Sequence, residues 1–328
     1  MIANVRPWSR TFAWSRSPRS VARLGLPVLA GALVLSGCSW HDSAAPVDFR
    51  TQTAGPTHGV YAALGDSYTA GPGIPDQTGT PSECQRSSSN YPALVARALG
   101  LGTAQTDDVS CSGATIADLS DPQSTGGGTN PAQLSALSSA DTIVTLGIGG
   151  NDIDFSGVLT RCVEVDMVPS LIGSWASGTA ACESYYTSGG FNQIDQKIQD
   201  AGTSLASVLT QIRQSAPHAR VYVVGYPDLL PSGGDSCART LGITPGDLAF
   251  LNQEELRLNS MLSRQARTAG AVYVDTYTPS QGHDACSAAE TRWTEPLLPT
   301  AAAAPLHPNA RGEQGMADAV LAAIKTAS

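Results

Sequence analysis

The chain has no basic cluster, no Cys-x-x-Cys pair and no grouping of His, Cys, Asp and Glu with metal-ligand spacing. Nothing repeats along its 328 residues. Beyond the N-terminus no apolar run approaches the ~20 residues that a membrane-spanning helix needs. Without a basic surface it is not expected to bind nucleic acid, where Lys and Arg must neutralise phosphates. Without clustered thiolates and imidazoles it is expected to use no metal and no cofactor. The first 37 positions lack acidic residues altogether, although the whole chain carries 28. Histidine is scarce too: there are five, so a catalytic base has few candidates.

The acid-free N-terminus reads as an export signal. Arg6, Arg10, Arg16, Arg19 and Arg23 are followed by the apolar run Leu24 to Leu35, and Leu35-Ser36-Gly37-Cys38 closes the segment. The run is too short for a permanent span. The closing tetrapeptide resembles a bacterial lipobox, which implies cleavage before Cys38, diacylglycerol on its thiol and anchoring to the cell membrane. An ordinary secretory signal is the alternative, and both take the chain out of the cytoplasm. Loss of residues 1–37 leaves 14 basic against 28 acidic residues, a formal −14. Such acidity favours solubility and names no substrate. Six further cysteines, Cys84, Cys111, Cys162, Cys182, Cys237 and Cys286, form an even set in an exported chain and read as three disulfides. Their spacing leaves the pairing open.

Residues 38–58, rich in Ser, Thr, Ala, Pro and Gly, read as a flexible tether. Residues 59–328 suffice for one large domain. Four short apolar runs look like strands buried on both faces: Val60 to Leu64, Thr142 to Leu146, Val221 to Val224 and Ala271 to Val274. Helical periodicity links Ile194, Ile198, Ala201, Leu205, Val208 and Ile212, and again Leu248, Leu251, Leu258 and Leu262 behind Asp247 as N-cap. A shorter helix runs from Pro92 to Leu99 before Gly100, and a last one from near Asn309 to Ala327. This alternation argues an α/β fold, a doubly wound, flavodoxin-like parallel sheet with helices on both faces.

Three motifs carry chemistry: Gly65-Asp66-Ser67, Gly149-Gly150-Asn151-Asp152 and His307-Pro308-Asn309. Ser67 follows the first strand directly, and Asn151 follows the second through Gly147-Ile148-Gly149-Gly150. Both therefore fall at the carboxyl rim, where ligands bind in such sheets. A serine hydroxyl, an amide donor and an imidazole are what acyl transfer through an activated serine requires. His307 is the base; His283 is its one rival. Asp66 and Asp152 read as local organisers, and Asp154, Glu164 and Asp166 as solvated charges.

From residue 59 to the C-terminus the chain resembles the SGNH (GDSL-type) hydrolase family, secreted actinobacterial esterase/lipase branch. The four naming residues match Ser67, Gly113 in Cys111-Ser112-Gly113-Ala114-Thr115, Asn151 and His307. The resemblance implies Ser67 and His307 as catalytic residues, with Ser67, Gly113 and Asn151 as the oxyanion hole. It also implies sequential disulfides: Cys84–Cys111, Cys162–Cys182 and Cys237–Cys286. One departure stands out. Most of the family has Asp three residues before the histidine, and here that position is Ala304. The branch includes dyads completed by a main-chain carbonyl, which favours the Ala304 carbonyl as the group orienting His307; Asp284 is the side-chain alternative.

The long segment 153–191 carries Phe155 and, between Cys162 and Cys182, Met167, Val168, Leu171, Ile172 and Trp175. A disulfide-braced insertion forming one wall of an acyl pocket is expected, with Trp293 and Pro296-Leu297-Leu298-Pro299 on the other. The leading function is an exported, lipid-anchored serine esterase or lipase acting on an ester or lipid, a monomer, through an acyl-enzyme. The alternatives are a deacylase of envelope glycans or phospholipids, and a non-catalytic ligand-binding lipoprotein.

Overall fold

The computed structural model describes residues 60–171 and 180–327. A five-stranded sheet forms its centre: β1 (Val60–Gly65), β2 (Thr106–Asp108), β3 (Asp141–Gly147), β4 (Arg220–Val224) and β5 (Val272–Val274). Every pairing is parallel. The spatial order is β2-β1-β3-β4-β5, which is the flavodoxin-like winding with its switch point between β1 and β3. The strand β2 has no counterpart among the apolar runs. Thr106-Asp107-Asp108 is polar because it lies at the sheet edge, paired only with β1.

Six helices shape the site and its support: α1 (Ser67–Ala70), α2 (Tyr91–Ala98), α3 (Phe155–Leu171), α4 (Gln193–Ser215), α5 (Pro245–Ala269) and α6 (Ala310–Ala327). Strand side chains alternate between two cores. Leu64, Val144, Leu146 and Val223 face α4 and α5 through Leu205, Leu209, Leu258 and Leu262. Tyr61, Ala63, Ile143 and Val224 face α2 and α6 through Tyr91, Val95, Met316 and Val320. Each fully buried aliphatic of this kind contributes roughly 1.5–3 kcal/mol, so the sheet that carries the rim is stiff on both sides.

Side-chain caps start α2 and α5, as they do α1 and α4. Asn90 caps α2 by accepting the Ala93 N–H at 3.0 Å. The cap of α5 is Thr244 rather than Asp247, because Pro245 supplies the first helical position. Asp247 instead accepts the N–H groups of Cys182 and Glu183 and so holds the short helix Ala181–Tyr186. Asp166 is likewise not a solvated charge. It is fully buried, accepts the Thr244 N–H at 2.7 Å, and is pushed up to about 7, chiefly by that burial. The six cysteines are bonded Cys84–Cys111, Cys162–Cys182 and Cys237–Cys286. No helix among the described residues is long and apolar enough to cross a membrane. Cys38 and the tether lie outside the described residues.

Candidate active site

The nucleophile turn grows out of β1. Gln133 clamps Gly65 from both directions, accepting its N–H at 2.8 Å and donating to its carbonyl at 2.9 Å. The next residue, Asp66, is the N-cap of α1 and accepts the Tyr68 N–H at 2.9 Å. Ser67 is thus the first helical residue, where a backbone N–H has no partner within the helix and faces a forming negative charge favourably. The switch-point loop after β3 delivers Asn151, whose Nδ2 donates to the Ala114 carbonyl at 2.8 Å. One hydrogen on that nitrogen stays uncommitted. Gly113 sits between them with φ +79°, a conformation a side chain would strain. Its turn is braced by the Cys84–Cys111 disulfide and by Ser112 N–H on the Cys84 carbonyl at 3.0 Å.

His307 arrives from the far end of the chain. Its Nε2 lies 2.7 Å from Ser67 Oγ, and its Nδ1 lies 2.8 Å from the Pro305 carbonyl. The carbonyl has no proton to give, so Nδ1 carries the hydrogen and Nε2 keeps the lone pair toward serine. The acceptor is therefore Pro305 and not Ala304. Ala304 instead accepts the backbone N–H of His307 at 3.2 Å, closing a tight turn. Pro305 in second place and Leu306 at φ +60° in third fit a type II turn, which aims the intervening carbonyl at the ring. Asp284 is not the orienting group: Nδ1 is bound to the Pro305 carbonyl, and the Asp284 carboxylate accepts the Cys286 N–H at 2.7 Å. His283 is committed elsewhere, with Nδ1 on the Thr291 carbonyl and its ring stacked on Trp293.

The strained Leu306 is held on both sides. Its N–H donates to the Glu295 carbonyl at 3.1 Å, and its carbonyl accepts the Tyr68 hydroxyl at 2.6 Å. The Tyr68 ring also lies beside the imidazole, with centroids 4.9 Å apart. Glu295 closes the loop from behind. Its N–H donates to the His307 carbonyl, and its buried carboxylate receives Arg292, Asn309 and the N–H groups of Thr300 and Ala301. Burial alone would raise this acid; the Asn309 amide, the two backbone donors and Arg292 hold it at about 2.

Ser67, Gly113, Asn151 and His307 open onto one cavity of about 240 Å³. Phe155 from α3, Leu229, Leu258 and Leu306 give it apolar walls. Phe155 stands where the insertion is expected to contribute; the side chain of Leu171 and all of Trp175 lie outside the described residues. Trp293 does not line the cavity, because stacking on His283 turns it to the rear of the histidine loop. Leu298 points to solvent, and Ala304 and Leu306 form the wall assigned to its loop. Glu255, unforeseen in the sequence, reaches the cavity from α5 while accepting the Leu229 N–H, and burial drives its acid value well above the ordinary range.

Electrostatics at the rim follow from desolvation. Burial lowers the His307 value below its usual 6.5, against the opposing effect of the Pro305 carbonyl. Burial raises Asp66 to about 7, outweighing the hydrogen bonds from Tyr226 and the Tyr68 N–H, with Asp152 adding to the rise. Asp152 itself accepts the Ile116 N–H through both oxygens at 3.1 Å, a structural role next to Asn151. Tyr68 and Tyr226 are not singled out by sequence pattern; Tyr226 follows a strand as Ser67 and Asn151 do, and that position is the available signal.

The winding of the sheet and the four residues on its rim define a hydrolase of the SGNH type. The chain belongs to the GDSL-like Lipase/Acylhydrolase family, whose model matches residues 63–314, and is a carboxylic ester hydrolase. Lipase 2 of Streptomyces coelicolor is 38% identical over 261 residues, 79% of this chain and 83% of that protein. The phospholipase A1 of Streptomyces albidoflavus NA297 superposes with a TM-score of 0.64 at 31% identity, covering 82% of this chain and 99% of that one. For the extracellular lipase of Streptomyces rimosus the TM-score is 0.65 at 27% identity, with 83% and 100% covered.

Proposed function

We propose that the chain is an exported serine ester hydrolase working through an acyl-enzyme on Ser67. The 2.7 Å hydrogen bond between Ser67 Oγ and His307 Nε2, with Nδ1 committed to the Pro305 carbonyl, carries this reading. Ser67 Oγ attacks the ester carbonyl carbon as its proton passes to Nε2. The resulting oxyanion is met by the N–H groups of Ser67 and Gly113 and by the uncommitted hydrogen of Asn151 Nδ2. The imidazolium then protonates the leaving alkoxide and the alcohol departs. Water, deprotonated by the same imidazole, attacks the acyl-enzyme and releases the acid. A neutral carbonyl stabilises the imidazolium less than a carboxylate would, yet it fixes the tautomer throughout.

The apolar walls support the acyl chain of a lipid or phospholipid over a bare acetyl group on a glycan. Export is supported by the basic and apolar N-terminus, and Cys38 is the residue proposed to carry the lipid anchor. Treating the exported protein with a fluorophosphonate tests the centre of the reading. Mass spectrometry is expected to place one adduct on Ser67, absent in His307→Ala. A folded sample that takes up no label, or takes it elsewhere, overturns the assignment.

Two groups shape the acid side of kcat/KM. Neutral His307 is the base, and ionised Asp66 accepts the Tyr68 N–H at the nucleophile turn. Activity therefore rises with pH through about 7, the Asp66 value, and through a lower step below 6.5 belonging to His307. Asp66→Asn is expected to be slower but to keep only the lower step. A midpoint above 6.5 in that variant contradicts the assignment of His307.

A further inference from the structure

The side chain of Tyr226 joins three strand ends at a single oxygen. Its backbone leaves β4 clamped by one residue of α5: Asn259 Oδ1 accepts the Tyr226 N–H at 2.8 Å, and Asn259 Nδ2 donates to its carbonyl at 2.9 Å. Tyr226 is 6% exposed, and its ring meets that of Tyr68 edge-on with centroids 5.0 Å apart. Its hydroxyl has two partners. It accepts the Gly150 N–H at 2.7 Å and donates to Asp66 Oδ2. Gly150 immediately precedes Asn151, and Asp66 immediately precedes Ser67. A side chain at position 150 would put its Cβ 3.1 Å from the tyrosine oxygen, so glycine is what permits the approach.

With Asp66 ionised, the donor directions allow one arrangement. An amide N–H can only donate, so Gly150 occupies a lone pair of the hydroxyl and the phenolic proton must go to Asp66. The three groups form a directed relay from the Asn151 loop to the nucleophile turn. The two kinds of oxyanion donor, the Ser67 N–H and the Asn151 amide, come from different strand ends and must meet one oxygen. Their separation has to hold to within a fraction of an ångström for the donors to act on the transition state.

We propose that the Tyr226 hydroxyl is a positioning group for the oxyanion site, tying the Asn151 loop to the Ser67 turn at the separation the oxyanion needs. This rests on the proposed roles of Ser67 and Asn151. Tyr226 touches neither the serine oxygen nor the base; it acts through Asn151. The consequence is kinetic rather than merely structural: the hydroxyl matters only while the Asn151 amide is there to be placed.

A double-mutant cycle on the exported protein, read with p-nitrophenyl butyrate, tests this. Asn151→Ala is expected to lower kcat by about 10²- to 10³-fold, as for other oxyanion donors. Tyr226→Phe is expected to lower kcat about 10- to 100-fold with KM unchanged, the equivalent of one charge-assisted hydrogen bond. The double variant is expected to be no slower than Asn151→Ala. Losses that multiply overturn the proposal, as does a Tyr226→Phe enzyme with parental kcat. Should Tyr226→Phe not fold, Gly150→Ala, whose Cβ would lie 3.1 Å from the tyrosine oxygen, displaces the hydroxyl from the relay and runs the same cycle with the same expectation. Ser67→Ala is measured alongside: if it keeps full activity, the serine reading itself has failed, whatever the cycle gives.

Discussion

Ser67→Ala, His307→Ala and the double variant are expected to lose the same kcat, about 10⁵- to 10⁶-fold on a soluble aryl ester. The equality is the informative part. Ser67 Oγ and His307 Nε2 share one hydrogen bond, so without the serine there is no acyl-enzyme for the imidazole to act on, and without the imidazole the hydroxyl has no base. Remove either and the remaining partner is idle, which makes the losses non-additive. What survives is the 10³- to 10⁴-fold or so that oxyanion donors and substrate binding give without a nucleophile. His283 offers no relief, because its Nδ1 is bound to Thr291 and its ring to Trp293. Steady-state rates of the three variants, with the parent diluted to match, decide the matter. Losses that multiply in the double variant would mean that the two residues serve separate steps.

Glu295→Ala is expected to lower stability by about 3–5 kcal/mol, the usual cost of breaking one side of a buried ion pair. Glu295 is fully buried and Arg292, 3.1 Å away, nearly so, which leaves the guanidinium without a counter-charge in the variant. Asn309 and two backbone N–H groups lose their acceptor as well. For a domain of this size the melting temperature should fall by roughly 6–20 °C. The effect depends on pH in a stated direction. The carboxyl is held at about 2 in the folded chain against an ordinary 4.5, so its contribution is complete above about 4.5 and is lost as pH falls toward 2. Calorimetry of parent and variant should therefore show melting curves far apart at pH 7 that converge in acid. A variant that melts within a degree of the parent at pH 7 refutes this role for Glu295.

The rim residues are legible in the chain because local signals coincide there. Ser67 and Asn151 each end an apolar run that can only be a buried strand, and a glycine stands where the chain must turn. His307 stands out because histidine is rare and Pro-Asn follows it. Other features leave no such trace. The edge strand Thr106–Asp108 is paired on one side only, so nothing obliges it to be apolar. Trp293 lies close to His307 in sequence, but proximity along the chain does not say which side of a loop an aromatic ring takes. Asp166 looks like any surface acid on a helix; its partner, the Thr244 N–H, is 78 residues away. Tyr226 and Gly150 meet across 76 residues through a hydroxyl and a backbone amide, and no side-chain pattern encodes a backbone donor.

The group that orients His307 is a main-chain oxygen, and every amino acid has one. Point substitution cannot delete it as it could delete an aspartate. Replacing Ala304 or its neighbours changes the side chains of the turn while leaving an oxygen in place, so this element of the site tolerates drift in residue identity. Its vulnerability lies in spacing. One residue gained or lost between Ala304 and His307 would turn the carbonyl away from the ring, and selection on this segment therefore acts on its length and backbone shape more than on its letters.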